Sequence, residues 1–193
     1  MGKTQKKWDA IYKKRCLQGS TPDAAQVLID YAHLLPKEGL ALDLACGLGG
    51  NAFLLANSGL TVDAWDISST AITHIQQQTI HCKNHITASV KDILNIHFPE
   101  NYYDIIVVSR FLEKSIIKKI ISALKPKGLL FYQTFTLVRT SPQGPSNPAF
   151  LLKKNELLSL FSELSPVIYR EEGTLGEIGK GLRNEAMLIA QKD

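Results

Sequence analysis

The sequence is poor in the features that mark a disulfide scaffold, a membrane protein or a nucleic-acid binder. Its three cysteines, Cys16, Cys46 and Cys82, are odd in number and widely spaced. They form no C-x-x-C pair, which argues against a disulfide framework and against a cysteine zinc site. No apolar run approaches the ~20 residues needed to span a bilayer. The opening Met1-Gly-Lys-Thr-Gln-Lys-Lys holds no apolar stretch of the secretory kind, so a cytoplasmic location is expected. Net charge is only +4, and six basic residues lie in the first fifteen positions: Lys3, Lys6, Lys7, Lys13, Lys14 and Arg15. These read as the solvated face of an N-terminal helix. There is no basic-aromatic groove pattern and no nucleic-acid motif, so neither nucleic acid nor a membrane is expected as a partner.

What remains is a chain of 193 residues, 45% hydrophobic and 21% charged, an ordinary soluble composition with material for one full core. A single domain over residues 1–193 is expected. Residues 4–17 read as an amphipathic helix with Trp8, Ile11, Tyr12 and Cys16 on one stripe. Thr21-Pro22-Asp23 resembles a cap, opening a helix that carries Val27, Leu28, Tyr31, Leu34 and Leu35. From Leu40 the period changes. Strands are expected at 40–45, 61–67, 86–90, 103–108 and 129–135. Helices are expected at 49–57, from Ser68/Ser69 to about Cys82, at 113–124 and at 153–163. Pro126-Lys-Gly128 reads as a turn and residues 139–149, with three prolines, as a loop. The last apolar runs, 167–171 and 186–190, read as a closing antiparallel pair. Alternating strands and helices with continuous apolar strands predict an α/β fold: a Rossmann-like, mainly parallel seven-stranded sheet with helices on both faces.

The chemistry concentrates in Ala41-Leu-Asp-Leu-Ala-Cys-Gly-Leu-Gly-Gly-Asn51 and Val62-Asp-Ala-Trp-Asp66. An apolar strand enters a glycine turn, a helix follows, and a second strand ends on an acid. Glycine lets a ligand approach the backbone, and Asp66 stands 17 residues after Gly49, near where such units place a carboxylate on ribose hydroxyls. Gly47-Leu-Gly49-Gly-Asn-Ala52 also fits the dinucleotide fingerprint G-x-G-x-x-A. A nicotinamide-dependent reductase therefore stays open at this stage, as does a non-catalytic cofactor-binding module.

Three features favour S-adenosylmethionine. Asp43 lies four residues before Gly47, where an acid suits a cationic ligand and repels a pyrophosphate. Asp92 follows the third strand and can accept a hydrogen bond from an adenine amino group. Finally, too little chain follows the fifth strand for the separate substrate domain that a dehydrogenase usually carries.

Over roughly residues 36–191 these motifs, in this order, resemble the class I S-adenosylmethionine-dependent methyltransferases. The carriers are Leu42-Asp-Leu-Ala-Cys-Gly-Leu-Gly49, Asp66, Asp92, Asp104-Ile-Ile-Val-Val108 and Leu124-Lys-Pro-Lys-Gly128. Two departures are Ala45 and Lys127, where the family more often has glycine. Within that family, Trp8-Asp-Ala-Ile-Tyr12 and Asn147-Pro-Ala-Phe-Leu-Leu-Lys-Lys-Asn-Glu-Leu-Leu158 are similar to the small tellurite-resistance (TehB-like) and thiopurine-type enzymes.

The resemblance implies a helical lid region over residues 1–35 and a core over 36–193. It also implies a cofactor-binding set. Ala45, Cys46, Gly47, Gly49 and Asn51 form the turn that meets the methionine end, with Asp43 organising it. Asp66 takes the ribose and Ile67 packs on adenine. Asp92 and Ile93 meet the adenine edge, Ser109 and Arg110 lie at the methionine or acceptor side, and Trp8 and Tyr12 close over the ligand. For Trp8 and Tyr12, core packing of the first helix is the competing reading. Cys46 can equally be a small packing residue. Arg110 and Arg139 are the candidates for contact with the acceptor, against surface roles for both. His81 and His85 flank Cys82 without a third partner, so no metal is expected.

Overall fold

The computed structural model describes residues 2–18, 23–80 and 85–193. Helix α1 covers Lys3–Leu17 and α2 covers Gln26–Asp30. Then come β1 (Leu40–Leu44), α3 (Gly50–Asn57), β2 (Thr61–Asp66), α4 (Ser69–Thr79) and β3 (Ile86–Val90). The second half holds β4 (Tyr103–Ser109), α5 (Ile117–Ala123), β5 (Leu124–Phe135), α6 (Glu156–Leu160), β6 (Ser165–Arg170) and β7 (Glu185–Gln191). The sheet order is β3-β2-β1-β4-β5-β7-β6. The first five strands pair in parallel, while β7 runs antiparallel to both β5 and β6. This is the mainly parallel seven-stranded sheet with a closing antiparallel pair that the alternation of elements predicts.

Strand alternation divides the core in two. Leu42, Leu44, Ile106, Val108, Leu130, Tyr132 and Leu188 face one layer, with Ile117 and Ile120 of α5 and Leu157 of α6. Ala41, Ile105, Val107, Phe131, Met187 and Ile189 face the other, with Val27 and Leu28 of α2, Leu55 of α3 and Ile75 of α4. Both faces of the sheet are thus buried, which is why its strands carry continuous apolar runs. The chain builds from β1 outward to β3 and then crosses back to β4 on the other side of β1. The crevice at the carboxyl ends of β1 and β4 is therefore the switch point where open α/β sheets bind ligands.

Several boundaries differ from those expected. Thr21 and Pro22 lie outside the described residues, and α2 begins only at Gln26. Its start is set by a distant side chain: Asn51 Oδ1 accepts the Ala25 N–H at 2.8 Å. Helix α4 is capped by Ser68, whose hydroxyl accepts the Ala71 N–H, and it ends at Thr79; His81 and Cys82 lie outside the described residues. The expected helix at 113–124 opens with a 3-10 turn at Lys114–Ile116. The helix expected at 153–163 shrinks to α6: Asn155 takes a left-handed conformation at φ +59° and delays its start, and Phe161 leaves the helical region at φ -111° and ends it. The Pro126-Lys-Gly128 turn is absorbed into β5 as a bulge: Tyr103 pairs with Leu124, yet Ile105 already pairs with Leu129.

Ala45 and Lys127, the two positions where glycine was expected, both sit in the left-handed region, at φ +56° and +67°. A Cβ there costs ~1–2 kcal/mol, partly offset because glycine is looser when unfolded. Ala45→Gly and Lys127→Gly should each raise the unfolding free energy by up to about 1 kcal/mol. A urea midpoint that falls for both variants contradicts this account of the two positions.

Candidate functional site

The carboxyl ends of β1, β2 and β4 converge on one polar cluster. Asp43 is fully buried at the end of β1. Its Oδ2 accepts the Ala52 N–H at 3.0 Å and its Oδ1 accepts from Asn51 Nδ2 at 3.2 Å. Ala52 lies in the first turn of α3, where helix amides lack internal partners, so Asp43 supplies the anion that the helix end favours. Burial pushes the Asp43 carboxyl up to about 7, against the donors from Asn51 and Ala52 that pull it down. Asn51 also donates to Ser109 Oγ at 3.0 Å, which joins the glycine turn to the end of β4.

The turn itself needs its glycines. Gly47 and Gly49 have φ +54° and +89°. A Cβ on Gly47 would lie 3.0 Å from the Tyr12 hydroxyl, and one on Gly49 would lie 2.9 Å from Ile75 Cγ1. Asp66, at the tip of β2, is 5% exposed. Its two oxygens accept the Gly47 N–H at 2.9 Å and the Ser68 N–H at 2.8 Å. Burial raises its carboxyl above the ordinary value, opposed by those backbone donors. Each oxygen keeps a further lone pair, so Asp66 can still accept from ligand hydroxyls. Cys46 packs in the core with its thiol pushed up by burial, as a small interior residue rather than a reactive one.

Helix α1 lies over this turn. Tyr12 is 8% exposed and packs with Leu48 and Ala71, while Trp8 stacks on it at 5.7 Å between ring centroids. Burial and the Asp66 carboxylate push the Tyr12 phenol far up. Asp9, which the sequence reading passed over, secures the helix: it accepts from Ser68 Oγ at 2.6 Å and from the Thr70 N–H at 3.1 Å at the start of α4. Those bonds lower its carboxyl. The one sign of this role in the sequence is that Asp9 is the sole acid on an otherwise basic helix.

A cleft of about 220 Å³ is lined by Ile67, the residue after Asp66, with Gly2, Thr4, Gln5, Val90, Asp92 and Leu94. Ile67 and Asp92 thus line the same cleft. Asp92 is exposed and locally ordered, accepting from the Leu94 N–H at 3.3 Å and from Asn95 Nδ2 at 2.8 Å. Ile93 turns inward to the core, and Leu94 takes the cleft position beside Asp92.

On the far side, Arg110 is held in a left-handed conformation at φ +52°. Its Nε donates to Glu185 Oε1 at 3.1 Å. Glu185 also accepts from Gln133 Nε2, and Gln133 Oε1 accepts the Val27 N–H at 2.7 Å. Gln133 and Glu185 were missed by the sequence reading. Their signal was faint: a lone amide inside an apolar strand, and an acid just before another. Arg139 instead donates to the Pro145 carbonyl at 3.0 Å and secures its own proline-rich loop. Among the described residues, no helix is long and apolar enough to cross a membrane.

A profile of the family described as tellurite resistance protein TehB matches residues 9–187. Among solved structures, TehB from Haemophilus influenzae is 23% identical with a TM-score of 0.73, matched over 96% of this chain and 67% of that one. An S-adenosylmethionine-dependent methyltransferase from Methanosarcina mazei is 20% identical with a TM-score of 0.66, over 89% of this chain and 99% of its own. Another from Mesorhizobium loti is 15% identical with a TM-score of 0.67, over 88% and 99%. A search among curated protein sequences gave no match. The enzyme class and cofactor expected from the sequence are those of the last two neighbours.

A titration follows from Asp43. The unfolded chain loses this proton near about 4, and the folded chain near about 7. Between those values the fold binds more protons, so this group's contribution to stability falls as pH rises from about 4 to 7. Denaturant unfolding across that range should show a shallower decline for Asp43→Asn than for the unaltered protein. Parallel slopes would mean that Asp43 titrates normally.

Proposed function

The chain belongs to the TehB tellurite-resistance family, and we propose that it transfers a methyl group from S-adenosylmethionine to a small, soft, anionic acceptor, either a thiol or a metalloid oxyanion. The observation that carries this reading is the bond from Asp43 to the Ala52 N–H. In dinucleotide-binding folds the first-turn amides of this helix receive a pyrophosphate. Here the Asp43 carboxyl already takes the Ala52 amide, which leaves it unavailable to a pyrophosphate oxygen. That supports a sulfonium cofactor over NAD or NADP.

The residues fit such a ligand. Asp66 would accept from the ribose, while Ile67, Val90, Leu94 and Asp92 would enclose the adenine. Ala45, Cys46, Gly47, Gly49 and Asn51 would shape the turn at the methionine end beside Asp43, with Ser109 next to them. Helix α1, with Trp8 and Tyr12, would serve as the lid of a single-domain enzyme. The bound cofactor supplies a methyl group that is already activated toward nucleophiles. The chain's task is then to align the acceptor and keep water out, and such alignment can supply about 7–11 kcal/mol of the barrier. Asp43, Asp66 and Glu185 are each engaged by donors, so none is set up as a general base. A thiolate or oxyanion needs none near neutral pH. Arg110, at the end of β4, would meet the acceptor's charge. The reading places the enzyme in the cytoplasm, with a diffusible small molecule rather than nucleic acid as its substrate.

Release of S-adenosylhomocysteine should be seen with thiols, tellurite or selenite. Turnover only with hydroxyl, amine or nucleic-acid acceptors would overturn the acceptor class, and tight binding of NAD or NADP with none of S-adenosylhomocysteine would overturn the cofactor. Asp66→Ala should weaken S-adenosylhomocysteine at least about ten-fold by calorimetry, on the order of one hydrogen bond to a charged group.

A further inference from the structure

Glu185 is an unusual place to find a carboxylate. It is 6% exposed at the first position of β7, opposite Phe135 at the end of β5. Burying a charge is costly unless it is paired. Two apolar side chains would often be at least as stable as such a pair, so stability alone gives little reason for it. Its two oxygens take one donor each: Arg110 Nε at 3.1 Å, and Gln133 Nε2.

Arg110 is constrained from both ends. Its backbone N–H donates to the Gln133 carbonyl at 2.7 Å, and its φ of +52° is one that L residues seldom adopt. Yet its side chain is 60% exposed. Only Nε is engaged, and Nη1 and Nη2 have no partner among the described residues. A guanidinium is a rigid planar fork, so fixing Nε fixes the direction of its remaining donors.

Gln133 carries the constraint further. Its Nε2 is committed to Glu185, which leaves Oε1 to accept the Val27 N–H in the first turn of α2. The neighbouring Ala25 N–H is held separately by Asn51, which bonds Asp43. The start of α2 thus rests on two amides, one joined to the proposed cofactor side and one to the arginine.

We propose that Glu185 is a positioning residue for Arg110. It holds the guanidinium so that its free edge receives two oxygens of an oxyanion acceptor, and through Gln133 it ties that arginine to the start of α2. This rests on the acceptor reading above. It goes further in assigning the charge recognition to one arginine and in naming the buried acid that orients it.

The probe is sodium selenite, titrated by calorimetry into the full chain with and without S-adenosylhomocysteine. The unaltered protein should bind selenite. Glu185→Gln should weaken selenite at least ten-fold while leaving S-adenosylhomocysteine affinity within two-fold. Amide hydrogen exchange should quicken at least ten-fold at Val27 and stay unchanged at Ala25. A merely structural role would quicken both amides together and weaken both ligands, and that result overturns the proposal. Arg110→Lys keeps the charge on an exposed position but loses the fork. It should weaken selenite comparably, and unchanged affinity overturns the proposal even if Glu185→Gln does not fold. Absence of selenite binding to the unaltered protein overturns it too. Failure to bind S-adenosylhomocysteine instead strikes the methyltransferase reading.

Discussion

A buried carboxylate at the end of the first strand organises this molecule. Asp43 is sealed from bulk solvent and is satisfied by protein donors. It finds them in the Ala52 amide and the Asn51 side chain. That choice ties β1 to α3 and gives the glycine turn between them its shape. Through Asn51 it also reaches Ser109 on β4 and the Ala25 amide ahead of α2. One desolvated charge thereby aligns four segments at the switch point of the sheet. It also occupies the helix-end amide that a related fold offers to phosphate.

The second organising feature is the layer of chain laid over that edge. Helix α1 is secured by Asp9 at the start of α4 and by Tyr12 against the glycine turn. Helix α2 is secured by the Asn51 and Gln133 amides. The two attachments differ in kind: α2 also buries Val27 and Leu28 in the core, whereas α1 buries only Tyr12 and otherwise rests on directional bonds at the rim. A segment held as α1 is opens at less cost than the strands beneath it. The polar partners divide along the sheet: Asp66 and Asp92 at the ends of β2 and β3, Arg110 and Glu185 at β4 and β7.

Legibility varied with the range of the cause. The glycine turn, Asp43, Asp66 and the β-branched run of β4 were readable because a strand, a turn and a helix each leave a local pattern. Ala45 and Lys127 were readable as departures, and their positive φ supplies the reason that glycine was expected there. Ends of helices were less readable. The start of α2 is set by Asn51, twenty-six residues from Ala25, and the start of α6 by the left-handed backbone of Asn155. Ile93, expected beside Asp92, is taken into the core and Leu94 lines the cleft instead, a choice that packing makes beyond the end of β3.

By itself the sequence determined the order of elements, the double-sided burial of the strands, the glycine turn and the acids near it. All of these follow from neighbours along the chain and from the period of apolar residues. Tertiary structure alone decided which amide receives which carboxylate. It decided that Tyr12 rests on Gly47, and that Arg110, Glu185, Gln133 and Val27 form one chain of bonds. Those partners stand up to about a hundred residues apart. Each buried polar group had to find whichever donor or acceptor the packed sheet brought near, and no local pattern records that pairing.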